Sequence, residues 1–220
     1  MRSALAAAAA AGLFFRLEVV DPSAAPGWRA PAEDLSGLTA RTAGQLGTRE
    51  LRVAASILHL GLAARLWSPV LGCGLLAGIV PELGALVINP GPPVRAGITR
   101  LAGRRAAGPA ELAALAGAEV SRALAALALG APIPAGLSRG NSASAMAGAL
   151  GVLVGAQPRL SALARDLADR LLRTESLAGA GDFTDDELSF RRRSCCLYYR
   201  IPGGGLCGDC CLPYQPGAGR

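Results

Sequence analysis

Lysine is absent from this 220-residue chain, whose 22 basic side chains are all arginine. So uniform a choice has no single-site physical cause; it reflects coding composition and by itself names no partner. Aromatic residues are scarce too, at 4%, and histidine occurs once. Scarce rings exclude a core built on large aromatic packing, and the abundance of Ala, Leu, Val and 29 Gly points instead to helices that approach closely. They also argue against single-stranded nucleic acid as a ligand. The arginines are interleaved with Asp and Glu, apart from the run Arg191, Arg192 and Arg193, and lack the aromatic spacing that base stacking uses. Charge is low, at 17%, against 51% hydrophobic residues and a mean hydropathy of +0.37, which excludes a largely disordered chain. The net charge of +6 is compatible with an anionic ligand or a membrane surface. The length fits one domain with a small appendage rather than two large domains.

Other features are missing as well. No repeat of 20 to 50 residues and no βαβ alternation occurs, which argues against a solenoid and a doubly wound sheet. The longest uncharged stretch, residues 140–158, has 19 residues but contains Asn141, Ser142, Ser144 and Gln157, so it reads as a buried helix rather than a membrane span. Residues 66–81 are interrupted by Ser68, Pro69 and several glycines. The opening MRSALAAAAAAGLFF has the outline of a secretory leader but runs straight into Arg16 and Glu18, and reads as an N-terminal helix. The expected location is therefore the cytoplasm, free or peripheral to the inner face of the membrane.

What is present is mainly helical. Residues 3–15 and 32–46 suit two helices, the second with Glu33 and Asp34 in its first turn. A stronger helix spans 48–67, with Thr48 as N-cap and one apolar face at Leu51, Ala54, Ala55, Leu58, Leu62 and Leu66; Pro69 then allows a new start. Asn-Pro-Gly-Pro-Pro between two apolar runs predicts a small hairpin within 84–98, followed by a basic loop at Arg104 and Arg105. Helices are expected at 109–129, 141–155 and 158–173. The fold class is mainly α, a helical domain over 1–180 with a small hairpin, and an irregular cysteine-rich segment over 181–220.

That last segment carries the chemistry. Cys195, Cys196, Cys207, Cys210 and Cys211 crowd into 17 residues, and only Cys73 lies elsewhere, in a setting that reads as a small buried hydrophobe. The spacing is C-C-x10-C-x2-C with one thiol over. The C-x2-C half lets two thiolates reach one metal, whereas adjacent Cys195 and Cys196 can serve one centre only if the chain turns sharply there. Three readings are open. Disulfides would need an oxidising compartment, a structural zinc site on four cysteines would normally pair two C-x2-4-C knuckles, and an iron–sulfur cluster would use four thiolates. The surroundings fit the third best. Arg191, Arg192, Arg193 and Arg200 flank an anionic cluster, and Gly203, Gly204, Gly205 and Gly208 let backbone N–H groups approach its sulfurs.

The stretch CCLYYRIPGGGLCGDC, residues 195–210, resembles the C-terminal motif of the FhuF-like ferric-siderophore reductases, C-C-x-x-Y-R followed by a loop and C-x2-C. A more diffuse similarity runs upstream through ARLWSPVLG, residues 64–72, and RGNSASAMAGAL, residues 139–150. The resemblance implies a [2Fe–2S] cluster on Cys195, Cys196, Cys207 and Cys210, with Tyr199 and Arg200 on the family's intervening pair, and Arg200 beside the cofactor. It implies an oxidoreductase that passes one electron to a cytoplasmic ferric siderophore, expected to be of hydroxamate type, and releases Fe(II). Hard oxygen donors hold Fe(III) far more tightly than Fe(II), so one electron undoes the chelate. This chain is somewhat short for the family and carries the additional Cys211.

The Gly203–Gly205 run lacks the strand-turn-helix context of a dinucleotide site, so electrons are expected from an external ferredoxin or reductase. Candidate substrate residues are Trp67, Asn141 and Ser142. The last two are read as an N-cap and first turn, with an ordinary cap as the competing reading, and Trp67 and Ser68 as pocket lining or core. His59 reads as a hydrogen-bonded core residue. A non-redox binding module with a structural four-cysteine zinc site is the alternative, and a simple ferredoxin-type carrier is weakened by the roughly 180 residues ahead of the motif.

Overall fold

The computed structural model describes residues 1–21, 23, 27–33, 35–184 and 188–213. Asp34, residues 185–187 of the acidic linker and residues 214–220 therefore lie outside the described residues. Six α-helices occur among those described: α1 (Arg2–Ala9), α2 (Ser36–Gln45), α3 (Leu51–Ala77), α4 (Pro109–Ala125), α5 (Ala135–Ala156) and α6 (Ser161–Leu172). Seven short strands join them: β1 (Glu18–Val19), β2 (Ile79–Pro81), β3 (Leu86–Asn89), β4 (Arg95–Ile98), β5 (Gly103–Arg105), β6 (Gly181–Phe183) and β7 (Phe190–Arg192). The mainly α expectation is met.

Helix α3 is the axis of the molecule, packed by α1, α2, α4 and α5. From Leu66 to Leu75 it is buried around its whole circumference, whereas Ile57, Leu60, Gly61, Ala64 and Arg65 form a half-buried stripe along its first half. Among the described residues it is the one helix long and apolar enough to cross a membrane, and most of it is core. Small residues set the spacing. A Cβ on Gly72 would come within 2.8 Å of the Ala8 Cβ, and one on Gly74 within 2.6 Å of a Leu112 methyl, so α1 and α4 approach as closely as glycine permits.

Several element boundaries differ from the sequence reading, each for a local reason. Pro69 does not divide α3, although an interior proline forfeits a hydrogen bond and costs about 3 kcal/mol. Leu66, Trp67, Val70 and Leu71 beside it are fully buried, and that packing holds the helix through it. Helix α3 begins at Leu51 rather than at Thr48, whose hydroxyl accepts from Glu50 N–H in the preceding turn. Helix α1 stops at Ala9, since Gly12 at φ 140° redirects the chain into a 3-10 turn that buries Phe15. Helix α2 starts at Ser36 because the Glu33 carboxylate closes a separate turn on Ala30 N–H. Helix α4 ends at Ala125, where Ala128 and Leu129 leave to bond Pro31, Leu35 and Thr39.

Helix α5 starts six residues earlier than expected, at Ala135. Extended Pro134 opens it and accepts from Leu137 and Ser138 N–H. Residues 158–160 are a 3-10 turn leading into α6.

The hairpin is present: β3 and β4 pair antiparallel with Leu86 opposite Ile98, and β1 adds in parallel on β4. The basic loop is a strand instead, β5, paired antiparallel with β2. Buried Glu119 of α4 secures this corner, accepting from Leu83 N–H at 2.8 Å and pairing with Arg122 at 3.1 Å and Arg104 at 3.7 Å. Finally β6 and β7 form a hairpin, with Gly181 opposite Arg192 and Phe183 opposite Phe190, which delivers the cysteine segment against α5.

Candidate metal centre

Strand alternation explains how the segment enters its site. Phe190 and Arg192 lie on one face of β7 and are buried, while Arg191 between them is exposed. Arg193 also points outward, in a paired contact with Asp182 at 2.9 and 3.0 Å. Beyond β7 the chain carries Cys195 and Cys196, then turns at Leu197, a non-glycine residue held at φ 70°. That turn follows the two cysteines rather than falling between them. Cys196 lies inside, at 2% exposed, and Cys195 is half-buried, with Leu197 N–H donating to the Cys195 sulfur at 3.3 Å.

A 3-10 turn, Tyr198–Arg200, leads into the glycine loop. A Cβ on Gly204 would strike the Tyr198 carbonyl, so that position needs glycine. The second cysteine pair forms a tight turn, with Cys210 N–H donating to Cys207 C=O at 3.1 Å and Leu212 N–H to the Cys210 sulfur at 3.4 Å. Arg192 N–H donates to Asp209 C=O at 3.1 Å and so joins the two halves. Leu197 packs on Val53 of α3 and Leu137 of α5, fastening the loop to the helical body. Arg200 adds an ion pair to Glu50 at 2.8 Å. Its guanidinium thus clamps the loop to the body at the entrance to α3.

The sulfurs group unevenly. Cys196 and Cys207 share a hydrogen bond at 3.5 Å. That bond pulls the Cys196 thiol below the usual range against the effect of burial, with Arg192 assisting, and raises Cys207 correspondingly. Burial raises Cys195 and Cys211, and both also sense the neighbouring thiols. Among the described residues no three His, Cys, Asp or Glu side chains converge on a single metal-ion position. A dinuclear cluster divides four thiolates between two irons, two to each.

The donor chemistry fits an anionic iron–sulfur cluster on two further counts. Backbone N–H groups already point at the Cys195 and Cys210 sulfurs, the kind of hydrogen bonding that tunes cluster thiolates. The buried Arg192 guanidinium also has N–H groups to spare: Nε and Nη1 have no hydrogen-bond partner among the described residues. Cys73, by contrast, is sealed in the core of α3, where burial pushes its thiol up to about 12.

The candidate substrate residues lie deeper than the sequence suggested. Asn141 and Ser142 are in the second turn of α5, so the N-cap reading is corrected; their N–H groups belong to the helix. Asn141 is fully buried, and its side-chain amide donates to Ser56 C=O at 2.9 Å and accepts from Arg192 Nη2 at 2.6 Å. Trp67 is fully buried and donates to the Ser142 hydroxyl at 2.9 Å. Ser68 is buried as well. His59 is a core residue whose Nε2 meets Ser138 Oγ at 2.9 Å. Burial and then the Arg192 charge hold it down to about 4.

Two cavities bear on the chemistry. The larger, about 610 Å³, lies among α4, α5 and the turn after α6, includes Ser138, Arg139 and Ser142, and has no cysteine in its wall. The smaller, about 400 Å³, is lined by Asp182, Thr184, Arg191, Arg192, Arg193 and Cys211, and it borders the cysteine loop. Of the two, the second touches a thiol, that of Cys211. The sequence reading does not single out Arg192 or Glu50. Alternation after Phe190 is the signal available for Arg192; nothing local marks Glu50.

Comparison with known proteins agrees with this geometry. No curated protein and no solved structure matches the chain. Residues 192–212, which run from the buried arginine through all five clustered cysteines, match the family model of the FhuF 2Fe-2S C-terminal domain, and the cofactor of this segment is a [2Fe–2S] cluster.

Proposed function

We propose that the chain is a ferric-siderophore reductase whose cluster ligands are Cys195, Cys196, Cys207 and Cys210. The observation that carries this reading is the position of the cysteine loop: three of the four ligand thiols are half-buried at the protein surface, beside an arginine-lined cavity large enough to admit one edge of a chelate. When bound, the cluster supplies one electron at a time, which suits conversion of Fe(III) substrate to Fe(II). The chain's own residues do the rest. Exposed Arg191 presents positive charge in the cavity wall, attracting an anionic chelate or an acidic electron donor, while Arg193 is paired with Asp182. Cys211, in the cavity wall, is the spare thiol. The substrate is a ferric chelate of hydroxamate type, the donor is an external ferredoxin or reductase, and the reaction belongs to the cytoplasm, with the protein free or peripheral to the inner membrane face.

The test starts with protein purified without oxygen. Two irons and two acid-labile sulfides per chain are expected, with visible bands that bleach on dithionite. Reduced protein freed of dithionite is then mixed with a ferric trihydroxamate and an Fe(II)-trapping chelator. One Fe(II) trapped per cluster, with the visible bands restored, supports the proposal. A stable reduced spectrum and no trapped iron would remove the siderophore reading, and a colourless protein with one zinc would remove the redox reading altogether.

A further inference from the structure

Among the described residues, the four buried side-chain atoms without a hydrogen-bond partner are Arg192 Nε and Nη1, Ser194 Oγ and His59 Nδ1. They are not scattered. Gly140 of α5 faces both Ser194 and Arg192, since a Cβ there would collide with the Ser194 hydroxyl and come within 3.0 Å of Arg192 Nη2. His59 senses the Arg192 charge. A guanidinium only 1% exposed, satisfied at one nitrogen by a neutral amide and paired with no carboxylate among the described residues, is an incomplete arrangement in a folded protein. Burial of such a charge calls for an anion nearby.

The nearby groups narrow the identity of that anion. Arg192 and Cys211 line the same cavity, and Arg192 N–H donates to Asp209 C=O at 3.1 Å, inside the loop that carries Cys207 and Cys210. We infer that Arg192 is the internal counter-charge of the cluster, a positioning residue that ties the redox centre to the helical body and favours its reduced state. The inference rests on the [2Fe–2S] reading above. A continuous chain of hydrogen bonds carries the coupling. Arg192 Nη2 donates to Asn141 Oδ1; Asn141 Nδ2 donates to Ser56 C=O; and Ser56 Oγ donates to Cys196 C=O at 2.7 Å. A loop made of glycine and cysteine is thereby held against α3 and α5 through the same arginine that shares a cavity wall with Cys211. Because the cluster gains negative charge on reduction, a fixed positive charge at short range raises its midpoint potential.

Dye-mediated redox titration of the holoprotein tests this, with loss of visible absorbance under a chelator as a second readout. Arg192→Met, which keeps length and apolar bulk, is expected to shift the reduction equilibrium roughly tenfold toward the oxidised form, about 59 mV for one electron, and to shed iron several-fold faster. Arg192→Lys retains the charge and is expected to stay within about threefold of wild type, since only the fork geometry is lost. Asn141→Asp places a carboxylate on the guanidinium and is expected to lower the potential with Arg192 still in place, which covers the case in which Arg192→Met does not fold. Unchanged potentials in Arg192→Met, or in Asn141→Asp where the methionine variant fails, overturn the inference, and leave the cluster assignment standing provided the wild type contains two irons and two sulfides. A wild type without them overturns both.

Discussion

The helical body and the cysteine segment are held together by opposite means. In the body, the second half of α3 is covered on all sides, and α1 and α4 close to the distance that Gly72 and Gly74 permit, so its organisation follows from apolar burial and close packing. The segment after β7 has almost no core of its own. It relies on one small apolar anchor at Leu197, a few backbone hydrogen bonds, the Arg200–Glu50 pair and the buried Arg192. Its sulfurs are spread over two turns that only a metal centre would lock, and its buried charge lacks a counter-ion among the described residues. A scaffold can be complete without its cofactor while the site it carries is not.

The strongest way to break the comparison is Cys207→Ser. It is expected to abolish the visible spectrum and Fe(II) release entirely while leaving the far-ultraviolet circular dichroism of the helices unchanged; a large loss of helix would show that the two regions are not separable. A smaller effect is expected from acid. His59 in the body is held down to about 4 in the folded protein against 6.5 unfolded, so the unfolded chain binds the proton first. Stability from this residue is therefore complete above about pH 6.5 and falls progressively as pH drops toward 4, by up to about 3 kcal/mol. Denaturant titrations of wild type and His59→Gln between pH 7 and 4 should converge as pH falls; parallel curves would contradict the assignment. The smallest effect belongs to Glu50→Gln. The pair it breaks is over a third exposed on both sides and screened by solvent, so the expected cost is below about 1 kcal/mol. It should appear as a modest increase in the rate of iron loss, with the melting of the helices unaffected.

The same contrast governs what is legible in the sequence. Periodic apolar faces and turn residues announce the helices and the β3–β4 hairpin, because local patterning is what those elements require. Boundaries fail where distant groups intervene. Pro69 reads as a break and sits inside α3 because fully buried neighbours hold the helix, and the Asn141 cap reading fails because Pro134, seven residues upstream, opens α5. Arg200 reads as a cluster residue by proximity in sequence, yet Glu50, 150 residues away, takes its guanidinium.

The sequence alone determined the class of the fold and, through its resemblance to a known cluster motif, pointed to the type of centre. Cysteine spacing and glycine content are local, and thiolate chemistry narrows the cofactors that such spacing can serve. Only the tertiary structure decided which arginine matters. Arg191, Arg192 and Arg193 are identical as letters, and the pleat of β7 sends one inward and two outward. Burial then sets their weight. The same charge is worth little in water and a great deal beside thiols in the interior, because the dielectric surroundings that fix its strength belong to the fold.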